Sequence, residues 1–259
     1  MSDSALIKSS LAKKYWMAAT GLFLCLFLIG HLAGNFQLFI GGYEGKLQFN
    51  EYAVFMTSNP IVKILSYVVY LSIIFHAIDG LILTIHNKRA RPQGYVKVKP
   101  SRNSPWTSRN MGILGTIILA FIVFHMQDFW YQFKFQEMPY MTSEDGSAIL
   151  TKSGEEVAGG TVNADFEVVS ATGKVVGPVM KDLHEEVIVS FQEIWIIALY
   201  LIGLIAISFH LWHGFQSAFT SLGLRTPKVE KAIKMTGYGF AVLIPLAFAI
   251  IPIYIYINF

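Results

Sequence analysis

Four histidines, His31, His76, His125 and His210, each fall inside a different long apolar stretch of this 259-residue chain. An imidazole inside a bilayer is expensive and is usually kept for function. One per span, four in all, is the number that two bis-histidine iron sites require. Iron held by a porphyrin and two imidazoles has no open position for oxygen or substrate, so the chemistry on offer is electron transfer. The pattern predicts a membrane-bound di-haem b-type cytochrome.

The elements that must position these residues are legible from composition. The chain is 54% hydrophobic and only 14% charged, against about 25% charged in a soluble domain. Apolar blocks at 15–40, 61–86, 111–133, 188–217 and 235–257 each exceed the roughly 20 residues needed to span about 30 Å of hydrocarbon. Without water to satisfy an open backbone these blocks must be helical. The expectation is an all-α integral membrane protein, a single domain of five transmembrane helices. The first block is too long for a signal-peptide core and lacks a small-residue cleavage site. Cys25 is the one cysteine, too few for an iron–sulfur cluster or an intrachain disulfide, and no Cys-x-x-Cys-His attaches a haem covalently.

Basic residues set the orientation. With the N-terminus inside, the inner segments hold Lys8, Lys13 and Lys14, then Lys88, Arg89, Arg91, Lys97, Lys99, Arg102 and Arg109, then Arg225, Lys228, Lys231 and Lys234. These are fourteen of the twenty Lys and Arg residues. The long connection 134–186 has ten acidic residues against four lysines. The topology is therefore N-in, C-out, with 134–186 as an outer insertion. Within it, Ala148–Lys152, Asp165–Val169 and Lys174–Val176 have strand character, separated by turns at Ser153-Gly154, Gly159-Gly160 and Thr172-Gly173, which suggests a small β-hairpin cap.

Orientation fixes depth. His31 lies about 25 Å up the outward-running first helix at about 1.5 Å per residue, and His125 is at a similar height on the third. His76 and His210 lie about ten and about eight residues before the inner ends of inward-running helices, roughly 12–15 Å deep. They sort into an outer pair, His31 with His125, and an inner pair, His76 with His210. His213, three residues after His210, is the competing ligand. His210 is preferred because Gly214 follows at i+4, as Gly80 follows His76, and a missing side chain there spares a porphyrin plane. Small residues also allow close helix packing in general. A lone membrane histidine can simply bond a neighbouring helix, but four at paired depths argue against coincidence. Zinc and di-iron sites gather ligands at one depth and recruit carboxylates or thiolates, unlike this set. His86 reads as interfacial and His184 as a solvated outer-loop residue.

Other polar residues have weaker readings. Asn35, Asn50 and Glu51 are candidates to line a quinone pocket near the outer haem, where quinone carbonyls need donors and reduction needs protons. Ordinary interface polarity explains them equally well. Asp128 sits beside Trp130 and Tyr131 in an aromatic belt, and Asp79 can pair with inner-surface cations. Pro245 and Pro252 should bend the last helix, which carries no histidine and reads as a packing partner.

With these residues set out, the chain resembles the di-haem cytochrome b558 subunits that anchor bacterial succinate dehydrogenase and fumarate reductase. The resemblance covers all five spans. It rests on one histidine in each of the first four helices, on His76-x-x-x-Gly80, on His210-Leu-Trp-His-Gly214 running to Leu222-Gly223-Leu224, and on Ser108-Arg109-Asn110-Met111-Gly112 leading into the His125 helix. It implies two haems b, an outer one on His31 and His125 and an inner one on His76 and His210. It also implies a flavoprotein with covalent FAD and an iron–sulfur subunit docked on the cytoplasmic face, where the basic loop 88–109 suits them. Menaquinone would be bound toward the outer side, in a respiratory complex II of the tricarboxylic acid cycle. The chain departs from the family in its long outer insertion, and in Ser208 where some fumarate reductases carry a glutamate.

Two other readings compete. The cytochrome b subunits of hydrogenases and nitrate reductases place histidines of different haems on a shared helix, and here only His210 and His213 share one. A haem-free transporter or scaffold would use its histidines for packing or proton relay, but no repeat symmetry is visible. The chain has neither a dinucleotide fold nor cluster cysteines, so succinate oxidation would belong to a partner subunit. The expected location is the bacterial cytoplasmic membrane, with lipid and quinone as contacts, no nucleic acid, and room for a higher oligomer of the complex.

Overall fold

The computed structural model describes residues 10–89 and 104–259. Lys8, Arg91, Lys97, Lys99 and Arg102 of the topology argument lie outside the described residues. Helix α1 (Ser10–Asn35) runs through a 3-10 turn at Phe36–Phe39 to α2 (Gly42–Ser58) and α3 (Pro60–Arg89). Helix α4 (Met111–His125) continues through a wide π-helical turn, Met126–Tyr131, into a last α turn, Gln132–Phe135. Strands β1 (Ala148–Leu150), β2 (Glu156–Ala158), β3 (Thr161–Val162), β4 (Glu167–Val169) and β5 (Val175–Pro178) follow, then α5 (Leu183–Ser190), α6 (Ile194–Ser221) and α7 (Glu230–Asn258).

Five stretches are long and apolar enough to cross a membrane: Leu11–Phe39, Pro60–Arg89, Met111–Phe135, Ile194–Ser221 and Glu230–Asn258. The shortest has 25 residues, about 37 Å at about 1.5 Å per residue. Leu26, Ile61, Leu81, Ile113, Ile202 and Leu243 on these helices are each more than half exposed. Apolar exteriors of that extent suit hydrocarbon rather than water, consistent with a multi-pass membrane protein. The fourth long helix begins at Ile194 rather than at 188. Val187–Ser190 closes the separate helix α5, and Gln192 and Glu193 fall at the break between the two. Helix α7 is continuous through Pro245 and Pro252.

Two compact units divide the described chain. The first draws on the chain as far as Leu32, on Leu65–Ile122 and on Ala198–Ala249. Its core joins Cys25 of α1, Leu211 of α6 and the fully buried Ala241 of α7, flanked by Leu28, Ile207, Phe215 and Phe240. Helix α7 thus packs without contributing a histidine, and its Tyr238 stacks on Trp212 at 4.3 Å. On α6, a Cβ at Gly203 would overlap the Phe121 ring of α4. The glycine therefore sets how closely those helices approach.

The second unit draws on Ala33–Ile64, Val123–Ile197 and Ile250–Phe259. Strands β1 and β2 form one antiparallel pair, and β3-β4-β5 form a meander. Gly154, Gly159 and Gly173 turn the chain between strands with positive φ, a conformation that side chains resist. Side-chain alternation along β1 feeds two cores. Ile149 joins Val157, Val168 and Val179. Leu150 joins Met141 and Met180, which pack against Tyr43, Leu47 and Val54 of α2. Lys181 caps the end of the α4 stretch, its ammonium donating to the carbonyls of Phe133 and Gln136 at 2.9 Å each.

Candidate functional site

In the first unit the structure sets His76 of α3 and His210 of α6 ring to ring, with centroids 6.0 Å apart and planes inclined by 63°. Two imidazoles on one metal, each bound through a nitrogen at about 2.0 Å, need centroids about 6 Å apart. The pair therefore has a spacing that would let both imidazoles hold one metal ion between them. His213 is half-buried one turn further along α6; the ring set against His76 is that of His210.

Helix α1 supplies the surroundings of His76. Thr20, itself 6% exposed, places Oγ1 3.2 Å from His76 Nδ1. A Cβ on Gly21 would come within 3.1 Å of His76 Cε1, so the missing side chain gives the ring its place. A Cβ on Gly115 of α4 would stand 4.0 Å from Cε1 of His210, and one on Gly214 would stand 3.8 Å from its Cδ2. The vacancy at Gly80 faces the Met17 methyl at 3.6 Å instead. Sequence reasoning singled out Gly80 and Gly214 but missed Thr20, Gly21 and Gly115. The available signal was that Thr20 and Gly21 occupy the half of α1 nearest Lys14, as His76 occupies the half of α3 nearest Lys88.

His31 belongs to the first unit, where its ring stacks on Phe27 at 5.4 Å and tilts against Phe248 at 5.6 Å. His125 belongs to the second, with Phe129 edge-on at 5.6 Å, immediately before the π-helical turn. Such turns occur disproportionately at functional positions.

The donor set fits a haem b. It is two imidazoles from separate helices. Nδ1 of His210 is buried with no hydrogen-bond partner, and an imidazole nitrogen left so costs about 1–3 kcal/mol. Among the described residues no group of three or more His, Cys, Asp or Glu comes together. The His76–His210 pair thus offers two protein ligands.

The quinone candidates differ in burial. Asn35 is half-buried at the end of α1, and Glu51 on α2 is exposed. Asn50 is fully buried and its amide is engaged on both sides. Its Nδ2 donates to Asp182 Oδ1 at 2.8 Å and contacts Met141 Sδ at 3.4 Å, while its Oδ1 accepts from the His184 backbone N–H at 3.0 Å. Asp182 also caps α5 by accepting from the Glu185 N–H, and Lys46 bridges it at 2.7 Å and Glu185 at 3.0 Å. Burial opposes the charge on Lys46, yet its bonds to Asp182 and Glu185 hold its pKa above the ordinary value.

His184 corrects an expectation. Rather than solvated, it is 4% exposed, with its ring against Phe49 and Phe259 and its Nδ1 without a partner. The side chain lies on the packed face of α5, a helix that loop-like composition hid, and burial pushes its pKa down. Glu186 on the same helix is pushed up, by burial and then by the charge of Asp128. Asp79 is half-buried and His86 exposed on α3. Comparison with family models, curated proteins and solved structures returned no match to this chain.

Proposed function

We propose that the chain is a membrane-bound di-haem cytochrome b, its inner haem held by His76 and His210 and its outer haem by His31 and His125. The observation that carries this reading is the His76–His210 ring pair, 6.0 Å apart on two membrane-length helices. A haem bound between two imidazoles supplies one-electron transfer without an open coordination position. The chain's part is to hold each imidazole in one orientation and to exclude water with apolar helices.

More particularly, the cytochrome is the membrane anchor of a succinate:quinone oxidoreductase in the bacterial cytoplasmic membrane, as the family resemblance implies. The orientation is N-in, C-out. The inner face docks an iron–sulfur subunit and an FAD flavoprotein, and the two sheets of the 134–186 insertion form a cap on the outer side. With Asn50 committed to Asp182 and His184, contact with a quinone, menaquinone by the resemblance, falls to Asn35 and Glu51.

The test is a pyridine haemochromogen assay on the purified subunit. Two haems b per chain are expected. A folded membrane preparation without haem would sink the cytochrome reading and promote the transporter or scaffold alternative.

A further inference from the structure

His76 and His210 differ in what stands behind them. Thr20 Oγ1 lies 3.2 Å from His76 Nδ1. The hydroxyl has a single hydrogen, and it is directed at the helix's own carbonyls, Trp16 O at 2.8 Å and Met17 O at 3.2 Å. What remains toward the imidazole is an oxygen lone pair, an acceptor. A ring nitrogen that meets an acceptor carries the proton, which would make His76 Nδ1 the N–H and leave Nε2 unprotonated and able to bind iron. His210 Nδ1, by contrast, has no partner.

We propose that Thr20 is a positioning residue for His76: its back-bonded hydroxyl fixes the Nδ1-protonated tautomer and tunes the iron that His76 and His210 share. This rests on the haem reading above and deepens it. The physical ground is general. A ligating histidine that donates its second N–H is fixed in tautomer and orientation and becomes a more basic ligand, and loss of such a partner changes metal affinity or activity about 10–100-fold. A more basic ligand favours ferric over ferrous iron, so this hydrogen bond lowers the potential of the inner haem. Thr20 is 6% exposed and Gly21 beside it leaves the ring room, so no water is needed to make the contact.

The experiment compares wild-type, Thr20→Val and Thr20→Ser holoprotein by optical redox titration, with the ferric low-spin electron paramagnetic resonance spectrum as a second readout. Thr20→Val keeps the shape and removes the acceptor. It should retain both haems and raise the midpoint of one of them, by about 59 mV if ferrous-to-ferric stability changes tenfold. The other haem should stay fixed, and Thr20→Ser should restore the wild-type value. Unchanged midpoints and spectra in Thr20→Val would overturn the proposal. So would a shift that Thr20→Ser fails to reverse, which would mark a packing effect. Haem content of the wild type tests the cytochrome reading separately. Ring 15N chemical shifts of His76 in haem-free protein read the tautomer directly: protonation at Nδ1 in the wild type but not in Thr20→Val supports the proposal, and the same tautomer in both overturns it.

Discussion

Asn50 Nδ2 donates to Asp182 Oδ1 at 2.8 Å across 132 residues of sequence, tying α2 to the first turn of α5. Neither residue is more than 3% exposed. The bond is one strand of a knot in which the Asn50 carbonyl also accepts the His184 N–H, and Lys46 neutralises Asp182.

Removing Asn50 should therefore cost more than one ordinary hydrogen bond. Asn50→Ala leaves the His184 N–H buried without its partner, at about 1–3 kcal/mol, and removes one bond to the charged Asp182, worth about 1.5–3 kcal/mol, while the Glu185 N–H and Lys46 still hold that carboxylate. A loss of about 3 kcal/mol is expected, with the added backbone exchange concentrated in α5. Unfolding in detergent, followed by hydrogen exchange, would show it. A variant as stable as the wild type would mean that water enters the knot freely.

The histidines should fail in pairs. His76→Ala and His210→Ala are expected to remove the same haem, and His31→Ala and His125→Ala the other, each variant falling from two haems per chain to one. His213→Ala should keep both. Haem stoichiometry with optical spectra of the five variants decides this. If His210→Ala keeps two haems while His213→Ala loses one, the ligand on α6 is His213.

The second unit should loosen in acid. Burial lowers the His184 pKa from its ordinary 6.5, the carboxylates of Asp182 and Glu185 oppose that shift, and Lys46 reinforces it. Between 6.5 and the lower folded value the unfolded chain binds the proton and the folded chain does not. Stability present above pH 6.5 is thus lost as pH falls through that window. Melting curves at pH 7.5, 6.5 and 5.5 should decline for the wild type and flatten for His184→Gln. Parallel declines would assign the acid sensitivity to other groups.

How far the sequence reaches differs from element to element. The five apolar blocks and their histidines are legible because hydrocarbon allows one backbone solution, a helix, and makes any imidazole within it conspicuous. Turn glycines 154, 159 and 173 are legible because positive φ selects them. Helices α2 and α5 are not: Gly42–Ser58 mixes polar and apolar residues, and Leu183–Ser190 has eight residues. Helices so short or so mixed take their stability from tertiary packing rather than propensity.

The same division holds at the site. The amino-acid sequence by itself determined that four imidazoles are carried on membrane-length helices and sorted His76 with His210 by depth. Only the tertiary structure decided that those two rings stand 6.0 Å apart, that Thr20 and Gly21 of α1 meet His76, and that Asn50 is locked to Asp182 while His184 is buried. Depth along a helix follows from counting residues at a fixed rise. Which face meets which neighbour depends on helix rotation and on contacts between segments far apart in the chain, and no local pattern encodes those.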